Sequence, residues 1–239
     1  METEKIIETT KDSIKIVRLN NPRKKNAIDY DMYTRITKIL NDAAIDEDIS
    51  IVVLTGTGDF YSSGNDLYAG ENIPVATRCE IIVQFVKAFI TFPKLLIALV
   101  NGPAVGIAVT TLPLCDFVFA SENAYFYTPF TKLNLVAEGC SSITFPKLMG
   151  ERKALDMLIR NHKMPAKEAL ECGLISYLYK HDELQKKAWN DIGEISNLPM
   201  DSVQTTKRLI RRVNMEELIK ANVLEMKEIE RLSLVHSKI

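Results

Sequence analysis

Leu95-Leu96-Ile97-Ala98-Leu99-Val100, followed at once by Asn101-Gly102-Pro103-Ala104-Val105-Gly106-Ile107, is the stretch that decides the fold. Six apolar residues without polar alternation predict a strand buried on both faces, the pattern of a parallel sheet. Asn-Gly-Pro then turns the chain, and a short apolar helix is expected from about Gly106. The run is far too short to span a bilayer.

Working outward, residues 49–55 form a second β-branched run of this kind, ahead of a Gly-rich loop that reaches Asp66. Residues 117–120 are a third. Between them, residues 29–44 place Met32, Ile36, Ile39, Leu40 and Ala43 at helical spacing, and residues 78–91 do so with Ile81, Ile82, Phe85 and Phe89 before Pro93. Upstream, residues 13–19 alternate as a half-exposed strand, and residues 20–26 are a turn-rich basic loop. Downstream the chain is mostly helical, broken by Gly150, Pro165 and Gly173, with a short strand at 175–179 and amphipathic helices at 182–197 and 201–237. Strands alternating with helices predict an α/β core, and the helical last third predicts a cap or an oligomer surface.

Composition excludes several functions. A net charge of -1 supplies no field to gather nucleic acid or an anionic membrane. Cys79, Cys115, Cys140 and Cys172 contain no Cys-x-x-Cys pair and read as buried free thiols in a reducing compartment. His162, His181 and His236 have no metal-ligand spacing, so no metal site is expected. The acidic start, Met1-Glu2-Thr3-Glu4-Lys5, is unlike a transit peptide, and a soluble intracellular protein is expected. Thr55-Gly56-Thr57-Gly58-Asp59-Phe60-Tyr61 opens like a dinucleotide loop but has Tyr61 at the third glycine. There is no Walker loop, no Gly-x-Ser-x-Gly elbow and no His-Glu-x-x-His.

Two loops and one acid remain. Tyr61-Ser62-Ser63-Gly64-Asn65-Asp66-Leu67 and Asn101 to Ile107 each place glycine after a buried strand. They are either ordinary tight turns or a pair of backbone donors suited to a developing oxyanion. Glu138, among Leu135, Val136 and Ala137, is either a helix-start glutamate or a carboxyl whose apolar setting raises its pKa for proton transfer. Asp66 is expected to hold its loop. Lys207, Arg208, Arg211 and Arg212 read most simply as the wet face of a helix. Phe85, Phe89 and Phe130 could line a tunnel, though aromatics at helical spacing are more often core.

These stretches, with Leu19-Asn20-Asn21-Pro22, Asn26-Ala27, Cys115-Asp116, Ala169-Leu170 and Gly173-Leu174, resemble the crotonase (enoyl-CoA hydratase/isomerase) superfamily over nearly the whole chain. Within it, peroxisomal Δ3,Δ2-enoyl-CoA isomerases look most similar. They share Ser-Ser-Gly-Asn-Asp, Gly-Pro-Ala-Val-Gly and Glu-Gly-Cys-Ser-Ser, here Glu138 to Ser142. The resemblance implies a spiral of ββα units over residues 1–190, with a helical trimerisation region at 191–239 of the same domain. It also implies a homotrimer or a dimer of trimers. An acyl-CoA thioester is the implied substrate, with coenzyme A part of that substrate and no separate cofactor. The implied site has backbone N–H donors at Asn65 and Ile107 and a catalytic Glu138. Ser62, Ser63, Gly64, Asn65, Asp66, Leu67, Gly106, Asn26, Ala27 and Lys25 are its implied substrate contacts.

Lys25, with Arg23 and Lys24, could meet coenzyme A phosphates or be a solvated basic turn. Hydratases of the superfamily use two glutamates, and the corresponding positions here hold Thr110 and Phe130. That departure favours moving a double bond through Glu138 over adding water. Hydration, dienoyl isomerisation and non-catalytic acyl-CoA binding are the rival readings. The terminal Ser237-Lys238-Ile239 is one change from the Ser-Lys-Leu read by peroxisomal import receptors, so a peroxisomal address is expected, with mitochondrial matrix or cytosol as alternatives.

Overall fold

The computed structural model describes residues 4–236. Ser237, Lys238 and Ile239 therefore lie outside the described residues. In chain order, β1 (Ile6–Lys11) and β2 (Ile14–Leu19) form a hairpin, followed by α1 (Tyr30–Ile45), β3 (Ile51–Gly56), α2 (Val75–Thr91) and β4 (Leu95–Val100). Next come β5 (Ala104–Val105), α3 (Ile107–Thr110), β6 (Phe117–Ser121) and β7 (Tyr125–Tyr127). The remainder comprises α4 (Ser141–Met149), α5 (Glu151–Leu158), β8 (Lys163–Pro165), α6 (Ala166–Glu171), β9 (Tyr177–Tyr179), α7 (Leu184–Ser196), α8 (Met200–Arg211) and α9 (Met215–His236).

The main sheet runs β1-β2-β3-β4-β6-β9, antiparallel only at β1–β2. A smaller sheet runs β5-β7-β8. The unbroken apolar runs are explained by burial on both faces. Val52, Leu54, Leu96, Ala98 and Val100 join one core with α1 and α2, while Ile51, Val53, Leu95, Ile97 and Leu99 join another with Leu184, Ala188 and Ile192 of α7. The mixed α/β architecture with a helical C-terminal part is as expected. Phe85 and Phe89 are core residues, with ring centroids 4.9 Å apart.

Three expectations are corrected. β1 was not anticipated because it is an edge strand whose residues 9–11 are exposed, so no apolar alternation marks it. The helix expected over 201–237 is two helices, with α9 opening where Leu218 N–H donates to Asn214 O at 2.9 Å. Asn disfavours a helix interior because its side chain competes for backbone groups.

The third correction concerns the basic run of α8, which is only half wet. Lys207 Nζ lies 2.7 Å from Asp116 Oδ2, and Arg211 reaches Asp116 Oδ1 at 3.1 Å as well as the carbonyls of Pro113, Leu114 and Cys115. Asp116 in turn accepts Leu96 N–H at 2.8 Å, tying α8 to the start of β4. The side chains of Lys207 and Asp116 are only 9% and 10% exposed. Asp116→Ala should therefore cost about 3–5 kcal/mol in urea unfolding, because it strands a buried ammonium. Arg208→Ala and Arg212→Ala, at exposed positions, should stay within about 0.5 kcal/mol. Equal effects at the three positions would return the run to a solvated face.

Candidate active site

The chain folds the loops after β3 and β4 against each other. Asn26, fully buried, donates from Nδ2 to the carbonyls of Thr57 and Phe60 at 2.9 and 2.8 Å. Asn101 accepts Gly56 N–H at 3.0 Å and donates to Gly58 O at 2.7 Å. Ser62 Oγ bonds Asn26 O at 2.8 Å and receives Gly64 N–H at 3.0 Å. Ser62 pairs in parallel with Ala104, and Val105 N–H donates to Ser62 O at 3.0 Å. Continued along that register, Asn65 falls beside Ile107.

The approach depends on Gly64. Its φ of +82° suits glycine, and a Cβ there would stand 2.6 Å from Val105 O. Asn65 bridges Ile28 in parallel: Ile28 N–H donates to Gly64 O at 2.8 Å and Asp66 N–H to Ile28 O at 2.9 Å. The intervening Asn65 N–H is thereby turned to the other side of its strand. Ile107 opens α3 after Gly106, whose own N–H is taken by Tyr127 O at 2.8 Å, so Ile107 N–H is an orphan helix-start donor. Among the described residues, neither amide has a protein acceptor outside regular helix pairing. Both residues line one cavity of about 280 Å³.

Glu138 faces the same cavity. It precedes α4 on a turn in which Gly139 and Cys140 both have positive φ. A Cβ on Gly139 would lie 2.3 Å from Thr110 Oγ1, so the turn runs flush against α3. Ser141 fixes it from its own side chain, Oγ donating to Glu138 O at 2.8 Å. The residue is 8% exposed, and among the described residues its carboxyl makes no hydrogen bond or ion pair. Burial, and then the negative charge of Glu225, push its pKa up to about 8. Asp66, the other acid on the wall, is occupied: it pairs with Lys24 at 2.7 Å and accepts Tyr68 N–H at 3.2 Å.

Of the residues expected in the site, Ser63, Asn65, Asp66, Leu67, Gly106, Ile107 and Glu138 line this cavity, as does Phe130. Gly64 connects two of them. Ser62, Asn26 and Ala27 do not reach it; they are buried behind the loop, and Lys25 places its ammonium 4.9 Å from the Phe60 ring centroid. Thr110 and Phe130 offer no acid, as the sequence indicates. Unanticipated walls come from α1, α2 and α9, including Tyr30, Arg78, Cys79, Met226 and Ile229. Their sequence signal is the amphipathic stripe of each helix, which says that a face is covered without saying by what. A larger groove of about 570 Å³ lies along α8, but its charged groups Asp116, Lys207 and Arg211 are already paired.

The Enoyl-CoA hydratase/isomerase family matches residues 9–235. The chain belongs to this family. Among curated proteins it is 44% identical over 230 residues to enoyl-CoA delta isomerase 3, peroxisomal, of Mus musculus, covering 94% of this chain and 72% of that one. It is 43% identical over 229 residues to enoyl-CoA delta isomerase 2 of Homo sapiens, covering 93% of this chain but only 58% of that one. Among solved structures, the enoyl-CoA hydratase/isomerase from Pseudoalteromonas atlantica T6c superposes with a TM-score of 0.86 at 31% identity, covering 95% of this chain and 90% of that one.

The family's paired loops can be tested through glycine. Gly64 and Gly173 both have positive φ near 80°, but a Cβ at Gly173 meets nothing within 4 Å. Gly173→Ala should therefore cost about 1–2 kcal/mol from backbone strain, and Gly64→Ala a further ~1–3 kcal/mol from overpacking on Val105. Equal costs in thermal or urea unfolding would show that the loops are not in obligatory contact.

Proposed function

We propose that this protein is a Δ3,Δ2-enoyl-CoA isomerase that shuttles one proton through Glu138. The carrying observation is a buried carboxyl facing the same cavity as two backbone amides, all three without protein hydrogen-bond partners among the described residues. Placed between Asn65 N–H and Ile107 N–H, a thioester carbonyl would have its oxygen polarised, which acidifies C2 of a 3-enoyl chain. Glu138 takes the C2 proton, the electron pair moves into a dienolate, and negative charge collects on the carbonyl oxygen. The same carboxyl then returns the proton to C4, leaving the double bond between C2 and C3. Atoms balance without water uptake.

Apolar walls from Ile82, Leu135, Met226 and Ile229 suit a hydrocarbon chain. Ser63, Asp66, Leu67 and Gly106 form the substrate-facing rim. In this reading residues 1–190 carry the chemistry and 191–239 both close the site and supply an oligomer surface for a trimer or dimer of trimers. A peroxisomal address also belongs to this reading, supported by the name of the mouse relative.

Removing a C2 proton requires ionised Glu138, whose pKa is pushed up to about 8. With 3-enoyl-CoA, kcat/KM should therefore rise as pH increases through about 8 and level off above it. Loss of activity with rising pH over that range would contradict a carboxylate base. Glu138→Gln should bind acyl-CoA yet lose about 10²–10⁴-fold in kcat. Near-normal turnover in that variant, or hydration of 2-enoyl-CoA as the faster reaction of the wild type, would refute the assignment.

A further inference from the structure

The last helix, α9, brings a second buried acid to the catalytic turn. On its inner stripe, Leu218, Ala221, Asn222, Glu225 and Met226 recur at helical spacing and are all buried. Glu225 accepts Cys140 N–H at 2.8 Å and Ser142 N–H at 3.0 Å, and Ser142 Oγ also donates to it. The two amides lie at the start of α4, where N–H groups lack intrahelical partners and the dipole favours negative charge. Cys140 Sγ, 3.3 Å from Leu218 O, is a second tie between the turn and α9.

Building on the reading of Glu138 as the base, we infer that Glu225 is its positioning residue. From α9 it holds the turn that carries Glu138 and presents a negative charge to that carboxyl.

Two features separate this from ordinary helix capping. The anchored residues, Cys140 and Ser142, follow Gly139, where a side chain would collide with Thr110, so the turn has no freedom to retreat toward α3. The charge is also felt: after burial, Glu225 is the influence that raises Glu138. Burial raises the pKa of Glu225 itself, and the three donors from Ser142 and Cys140 work against that rise, favouring its ionised form. The other groups acting around Glu138 do not replace that charge. Tyr33 on α1 and Cys79 on α2 are raised above their ordinary values, and Arg78 and Glu230 act on Cys79.

The test is the pH profile of kcat/KM for 3-enoyl-CoA in the full chain. Glu225→Gln keeps an acceptor for the turn but removes the charge, so the rising limb should move to lower pH by about one unit. Glu225→Asp keeps the charge on a shorter arm, so the limb should stay near its wild-type position while kcat falls. An unmoved limb in a folded Glu225→Gln variant overturns the inference. If that variant does not fold, a carbon-13 titration of the wild-type glutamate carboxyls decides. The Glu138 signal should show a second inflection where Glu225 titrates, and a single-step Glu138 titration overturns the proposal. Glu138→Gln separates the two levels: turnover retained there removes the base itself, whereas an inactive Glu138→Gln with an unmoved Glu225→Gln limb removes only the role of Glu225.

Discussion

The approach of Gly64 to the Val105 carbonyl is the constraint on which the site depends. Two loops far apart in sequence must run in parallel register so that Asn65 and Ile107 come side by side, and only a residue without Cβ lets the backbones close to that distance. The sheet supplies the starting points, since β3 and β4 are adjacent parallel strands whose ends are level. Asn26 and Asn101 then take up the backbone groups that such a loop would leave unpaired inside the protein. The polar bracing is directed inward, and among the described residues the Asn65 and Ile107 amides are left without protein acceptors.

The acid is held by a different logic. Nothing hydrogen-bonds the Glu138 carboxyl among the described residues; its place is set by its backbone, through Ser141, the Gly139 contact with Thr110 and the Glu225 anchor. A carboxyl fixed by hydrogen bonds to its own oxygens would be a weaker base, because those bonds favour the ionised form. Holding the backbone and leaving the oxygens without protein donors among the described residues keeps the pKa of the carboxyl raised while it faces the cavity.

The fold was legible where burial is two-sided. Leu95–Val100 has no polar position because both sheet faces are covered, and this unbroken run marks the parallel core without any structure. The edge strand Ile6–Lys11 has one buried residue, Ile6, and an exposed Thr-Thr-Lys end, so it carries no such mark. In the candidate site, turn chemistry and family likeness act locally in sequence and single out Gly64, Asn65, Gly106 and Glu138, which the fold gathers around one cavity. The same likeness puts Ser62, Asn26 and Ala27 on the ligand side, yet they brace the loop from behind; residue type alone does not say which side of a turn faces in. Lys207 and Arg211 read as solvated in the sequence because their partner, Asp116, lies on a distant segment. Tertiary ion pairs leave no local pattern.

The contribution of α9 was hidden for that same reason, and it alters how the site is put together. The strands and loops that carry the two amides are complete by Ile107, and Glu138 follows in the next segment. Yet the cavity receives Met226 and Ile229, and the turn that carries Glu138 receives Glu225, only from the last helix. Helix α9 packs along α2, where Asn222 Nδ2 donates to Val83 O at 2.9 Å, and places Met226 and Ile229 on the wall of the cavity that Glu138 faces. The same docking that adds apolar wall to the cavity brings up Glu225, whose charge acts after burial to raise the Glu138 pKa. Cavity wall and carboxyl pKa are shaped by one packing event.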